Sequence, residues 1–177
     1  FVYHMTCRGS RFKDGLEIEQ VIDLPDGTKW YKPKDSEEYK ALRENKFREW
    51  WRKWGQNVLH DNLMLPIVRP KYNIGFVVKN CNDDFIHLIE PWCDRLYSDA
   101  NIDKYIEYEQ PKTKFDLSKR LFSINADVID EIEVRINADM FNQEDFNNIQ
   151  NLSGIIHDSG KVGSFTLGNL QVEIRSV

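Results

Sequence analysis

The chain has 177 residues, of which 41% are hydrophobic and 30% charged, and its formal charge is −5. That is enough apolar material for one or two cored domains, and too acidic a total to favour nucleic acid as a partner. No run reaches the roughly 18 apolar residues of a membrane span, and Cys7, Cys81 and Cys93 are too scattered for a disulfide framework or paired zinc ligands, so reduced thiols in a cytoplasmic setting are expected.

The charge is uneven. Residues 1–70 hold 13 Lys and Arg against 11 Asp and Glu, whereas residues 71–177 hold 11 against 18. A mildly basic front can face an anionic ligand while an acidic rear keeps the protein soluble, which suggests two units with different surfaces.

The first dozen residues, Phe1 to Phe12, read as an apolar strand running into His4 and then into a basic turn with Arg8, Gly9, Ser10 and Arg11. A chain that opens on a strand of this kind is expected to lack the segment that pairs with it. Leu16 to Ile22 alternates at first like a half-buried strand, Leu24-Pro25-Asp26-Gly27 supplies a turn, and Trp30 to Lys34 reads as an exposed loop or short hairpin.

Asp35 followed by Glu38 predicts a capped helix from about residue 36 to residue 54. Phe47, Trp50, Trp51 and Trp54 fall at i, i+3, i+4 and i+7, which places them on one face, and Gly55 ends the helix. Lys40, Arg43, Lys46, Arg48, Arg52 and Lys53 occupy the rest of the circumference. This cationic side is either solvated opposite a core face or stands near an anionic ligand. Pro66 and Pro70, flanking a short extended run, mark residues 56–70 as a linker.

From Lys71 the pattern changes. Tyr72 to Val78 predicts a central strand, Asn80 to Asp84 caps a helix with Phe85, Leu88, Ile89 and Trp92 in helical spacing, and Pro91 shortens it. A strand at Leu96 to Ser98, a short helix from Asn101 to Gln110 and a mostly looped stretch over 112–128 follow. Ile132, Val134 and Ile136 then alternate with Glu133 and Arg135 in a one-side-buried strand. Asn142 caps a helix closed by Gly160, and Gly168-Asn169 turns a terminal hairpin. Strand, helix, strand, given twice, predicts an α/β (α+β) domain over residues 71–177, with a ferredoxin-like split fold or a small three-layer sheet.

The remaining clusters carry little chemistry. His60-Asp61 has no nucleophile beside it, Asp83-Asp84 sits where carboxylates favour a helix start, His87 and His157 lie on helices, and Lys112 to Lys114 with Lys119-Arg120 form a small basic loop in the acidic half.

The equipment around His4 is different, because imidazole ligates divalent ions, guanidinium forks pair with phosphate oxygens and glycine lets backbone amides approach. His4-Met5-Thr6-Cys7-Arg8-Gly9-Ser10-Arg11-Phe12, followed by Phe47-Arg48-Glu49-Trp50-Trp51-Arg52-Lys53-Trp54-Gly55, resembles the C-terminal end of the catalytic domain of family-two glycosyltransferases of GT-A fold. Members of that group often close with a strand, a segment ending in Gly-Ser-Arg-Phe, a variable insertion and a helix reading Asn-x-Phe-x-x-Lys-Trp-Gly. The resemblance covers residues 1–55. It implies that His4 ligates the divalent manganese or magnesium ion under a nucleotide-sugar diphosphate, and that Arg8, Ser10 and Arg11 lie beside that diphosphate or over a glycan acceptor. Cys7 replaces the family's usual small hydroxyl residue. The Asp-x-Asp metal motif, the nucleotide-binding strand and the catalytic base of that family lie upstream of this stretch. The residues given are therefore expected to bind no metal and to transfer no sugar alone. The competing reading is a partner- or glycan-binding α/β module with no catalytic role.

Overall fold

The computed structural model describes residues 12–13, 16–23, 26–33, 37–67, 69–160 and 162–176. They fall into two compact units, Phe1–Lys46 and Phe47–Val177. The division comes ahead of the 56–70 linker expected from the prolines. Its physical reason is that Arg48 and Arg52 belong to the interior of the second unit, as detailed below.

In the first unit, β1 (Phe12–Lys13), β2 (Leu16–Asp23) and β3 (Lys29–Pro33) form an antiparallel sheet in that order, so the stretch around Trp30 is a hairpin strand. Its turn is held by Asp26, which accepts from the Thr28 N–H at 2.9 Å and the Thr28 hydroxyl at 2.6 Å. Helix α1 (Glu37–Trp54) follows, and the Asp35 expected to cap it lies outside the described residues. Gly55 stops α1 at a φ of 64°, where its N–H reaches the Trp51 carbonyl at 2.6 Å; a left-handed residue at this position closes the last turn.

In the second unit, β4 (Leu59–His60) and β5 (Pro66–Ile67) make a small hairpin inside the expected linker. Asp61 builds its turn by accepting from the N–H groups of Leu63 and Leu65, both at 2.8 Å. Then come β6 (Ile74–Lys79), α2 (Asp83–Ile89), β7 (Arg95–Ser98), α3 (Ile102–Glu109), β8 (Leu121–Ser123), β9 (Ile132–Asn137), α4 (Gln143–Ser159), β10 (Gly163–Leu167) and β11 (Leu170–Ile174).

These form an α/β domain around a six-stranded mixed sheet, ordered β10-β11-β9-β6-β7-β8. The β9-β6-β7-β8 block is parallel and the β11 strand runs antiparallel to both of its neighbours. Both strand-helix-strand units read from the sequence are present. Because β6 and β9 are parallel neighbours, they assemble into this wider sheet rather than a ferredoxin-like alternation. β8 is an added strand within the stretch expected to be loop: Leu121 and Phe122 pair with Leu96 and Tyr97.

Register explains the layering. Ile74, Phe76 and Val78 stand opposite Ile132, Val134 and Ile136, and Phe76 stands opposite Leu96, so one sheet face is a continuous apolar surface. Ile86 and Ile89 of α2, Tyr105 of α3, and Ile149, Leu152 and Ile156 of α4 join the same buried cluster. Burying such a side chain contributes roughly 1.5–3 kcal/mol, and this face is where the domain gains most of its stability. Asn142 caps α4 and Gly160 ends it at a φ of 57°, both as expected, while Asn82, within the expected Asn80–Asp84 stretch, and Asn101 are the residues that accept from the first-turn N–H groups of α2 and α3. Pro91 ends α2 by turning Glu90–Trp92 into a 3-10 turn.

Among the described residues no helix packs on the opposite sheet face. Part of it is crossed by the β8–β9 connection, where buried Asp130 accepts from Arg95 Nη1 at 2.7 Å and Tyr97 Oη at 2.8 Å. Gly75 lies directly beneath, and a Cβ there would come within 2.3 Å of Asp130 Oδ2.

Candidate functional site

His4, Arg8, Ser10 and Arg11 lie outside the described residues, as does Cys7. Among the described residues no group of three or more His, Cys, Asp or Glu side chains could hold a metal ion, and no helix is long and apolar enough to cross a membrane.

Two clusters of arginine and carboxylate dominate the second unit. The first begins on the cationic side of α1. Arg48 and Arg52 are 3% and 2% exposed, so they are neither solvated nor aimed at an outside ligand. Their anions are the protein's own. Arg52 Nη2 reaches Glu90 Oε2 and Glu109 Oε1, each at 2.7 Å, and Arg48 Nε donates to Glu109 Oε1 at 2.9 Å. Arg48 also donates to the His87 carbonyl and to the Tyr105 hydroxyl. Arg120, expected on a solvated basic loop, is buried here as well and donates to Glu90 Oε1 at 3.0 Å. The aromatic face of α1 divides accordingly: Trp51 stacks on Trp92 with centroids 4.6 Å apart, while Phe47 is 49% exposed.

The electrostatics of this cluster are those of a closed network. Burial raises the Glu90 and Glu109 carboxyls, but the surrounding guanidiniums outweigh it and both end below the ordinary range. Burial likewise works against the Arg52 cation, and Glu90 and Glu109 reverse that as well. Lys112 and His87 stand at the rim, 3.7 Å and 3.9 Å from Glu109 Oε2. Breaking such a pair strands a buried charge, which makes the cluster a rigid clamp between the end of α1 and the helices beneath it.

The second cluster lies on the helix-free sheet face. Glu133, 2% exposed, accepts from Arg135 Nε at 2.6 Å and from Arg175 Nη2. Arg175 also donates to the Val128 and Asp130 carbonyls. Glu133, Arg135, Arg175 and Val128 line a cleft of about 830 Å³ on the sheet, walled by the β8–β9 connection. A second hollow of about 400 Å³ adjoins it and shares Glu133, Arg135, Thr166 and Gln171. Sequence reading took Glu133 and Arg135 only as the polar side of a strand. The signal for more was a shortage of cover, since three amphipathic helices of this length can shield only one face of six strands.

The turn between β6 and α2 is where an open parallel sheet often receives phosphate, at the ends of strands on which the connections diverge. Here it is already filled. Asp99 accepts from the N–H of Asn80 at 2.7 Å and of Cys81 at 3.0 Å, and Asn80 adopts a φ of 56°. Among the described residues the two thiols are not activated, because burial pushes Cys93 well up and Cys81 upward from their ordinary values.

No family model, curated protein or solved structure matches the chain.

The other expected groups take structural or surface positions. Asp83 pairs with Lys104 at 2.6 Å, Asp61 holds the hairpin turn, and His157 is exposed near the end of α4.

Proposed function

We propose that the chain is the C-terminal part of a nucleotide-sugar-dependent glycosyltransferase of GT-A fold, acting in the cytoplasm on a glycan acceptor. The ordered pair of segments, His4 to Phe12 and Phe47 to Gly55, carries this reading. Its structural support is α1: the resemblance asks for a closing helix that ends in Trp-Gly, and α1 ends at Trp54 with Gly55 left-handed at 64°.

In this reading Arg8, Ser10 and Arg11 offset the charge that builds on the departing nucleoside diphosphate, and His4 contributes one ligand to a manganese or magnesium ion. One histidine does not make a metal site, and the described residues add no ligand cluster. No step through the ion is assigned to these residues. Buried Arg48 and Arg52 give the family-like helix a second task, anchoring residues 71–177.

The test is release of nucleoside diphosphate from nucleotide sugars, with manganese, by the full reading frame. His4→Ala is expected to lower turnover on the order of 100-fold, and unchanged turnover would remove His4 from the site. Titration of UDP-glucose and manganese into residues 1–177 alone is expected to show no heat of binding, while micromolar affinity contradicts the need for the upstream half.

A further inference from the structure

The helix-free face of the sheet is built in rows. Thr166, Gln171, Arg135 and Val77 are consecutive cross-strand partners over β10, β11, β9 and β6, and Ser164, Glu173, Glu133 and Gly75 form the row beside them. Asn137 and Lys79 begin a third. Each row thus runs across neighbouring strands about 4.8 Å apart, a step comparable to one pyranose ring.

Three features narrow the occupant. The cleft and its adjoining hollow share Glu133, Arg135, Thr166 and Gln171 and together take in residues of all three rows on four strands, a span that suits an extended chain better than a compact cofactor. Its lining is amphipathic: Ile124, Val128 and Val77 offer apolar surface, Arg135 and the Asn137 side-chain N–H groups offer donors, and Gln171 offers both a donor and an acceptor, while Asn137 Oδ1 is already held by Asn80 and the Asp139 N–H. Its charges balance, with Lys79, Arg135 and Arg175 against Asp127, Glu133 and Glu173, so a polyanion gains little there. Among the lining residues of the two hollows the only aromatic is Phe165, which packs against the core, so the row of exposed rings on which successive nucleobases stack is not offered. A sugar has the matching surface, an apolar C–H face and an edge of hydroxyls that both donate and accept.

The anchoring is also prepared. Arg135 Nε is held on Glu133, which leaves its two amino groups on a side chain that is 61% exposed, and Glu133 is itself fixed from the other side by Arg175. A guanidinium oriented this way loses less freedom on binding than an unrestrained one.

We infer that this groove is an oligosaccharide-binding site, with Arg135, Gln171 and Asn137 as its hydrogen-bonding residues. It goes beyond the transferase reading, because residues 71–177 carry no part of the resemblance to that family. In a transferase such a site would hold a glycan chain away from the reacting centre.

The experiment is amide and side-chain NMR on ¹⁵N-labelled chain, titrated with uncharged tetrasaccharides: cellotetraose, mannotetraose, isomaltotetraose and chitotetraose. Glucose, inorganic phosphate and trigalacturonate serve as comparison probes. At least one tetrasaccharide is expected to shift Arg135, Asn137 and Gln171 together, with affinity at least 10-fold above glucose. Gln171→Ala and Arg135→Gln, each with an unchanged thermal midpoint, are expected to weaken that binding about 10-fold. Three outcomes overturn the inference: no tetrasaccharide moving these signals, shifts mapping to another surface, or phosphate or trigalacturonate moving them as strongly as the best tetrasaccharide. Tetrasaccharide binding in a full-length protein that lacks transferase activity would leave this inference standing and remove only the transferase reading.

Discussion

The two arginine–carboxylate clusters of the second unit use the same chemistry to opposite ends. Around Glu90 and Glu109, the side chains of Arg48, Arg52 and Arg120 are 4%, 1% and 10% exposed, and each guanidinium is paired with a buried carboxylate of the protein itself. Around Glu133, the carboxylate is equally buried, yet Arg135 and Arg175 are 61% and 38% exposed. Burial of both partners makes a clamp, whereas burial of the anion alone makes a fixed, accessible cation. The difference follows from the fold, because all the helices of the second unit collect on one face of the sheet and leave the other to polar side chains.

The largest expected effect tests the clamp. Glu90→Ala leaves buried Arg120 without a carboxylate and Arg52 with Glu109 alone, and is expected to cost about 3–5 kcal/mol in urea unfolding, which in a domain of ordinary stability leaves little margin. Glu133→Ala removes an equally buried carboxylate, but its arginines can turn to water, and about 1–2 kcal/mol is expected. Equal losses would erase the distinction between the clusters.

The clamp should contribute to the acid-side pH dependence, beside Asp145, whose carboxyl is raised by burial but held below the ordinary range by hydrogen bonds from Asn169 and Asn142. Glu90 and Glu109 lie below their unfolded value of 4.5 in the folded protein, so at acid pH the unfolded chain binds more protons. Stability is expected to be complete above about pH 4.5 and to fall as the pH drops below it, with a shallower fall in Glu90→Gln. Thermal midpoints measured from pH 7 to pH 3 check the sign, and a midpoint rising on acidification would contradict it.

A pair of glycine substitutions probes the wall of the open cleft against a helix position away from it. Gly75→Ala puts a methyl group against Asp130, which must give up its position beside Tyr97 and Arg95, and about 1–3 kcal/mol is expected. Gly154→Ala meets only the end of the Arg69 side chain, which can swing aside. Its cost should remain within about 1 kcal/mol, near that of an ordinary surface substitution.

Much of this architecture was legible because local rules and tertiary packing agreed. Asn82, Asn101, Asn142, Gly55 and Gly160 mark helix ends by chemistry that acts within a few residues, and the alternation at Ile132 to Ile136 chose the buried face of β9. Pairing over long distance was not legible. Nothing local in Arg48, Arg52 and Arg120 announces that Glu90 and Glu109, tens of residues away, will take them out of water. Leu121 to Ser123 became a strand because β7 offered it an edge, and the parallel pairing of β6 with β9 depends on a connection that leaves no periodic trace. The open cleft was hidden for the same reason. Its residues are ordinary polar positions on four strands, and only the register brings them into rows.

Arginine Nε–H signals in ¹⁵N-labelled chain offer the most direct measurement, because one spectrum reports both clusters. The Nε–H groups of Arg48, Arg52 and Arg120 should exchange slowly with water and stay in place when the tetrasaccharides are added. Arg135 should exchange faster and shift with the best of them. Rapid exchange at Arg52, or an Arg135 signal that no tetrasaccharide moves, would contradict the contrast between a closed clamp and an open site.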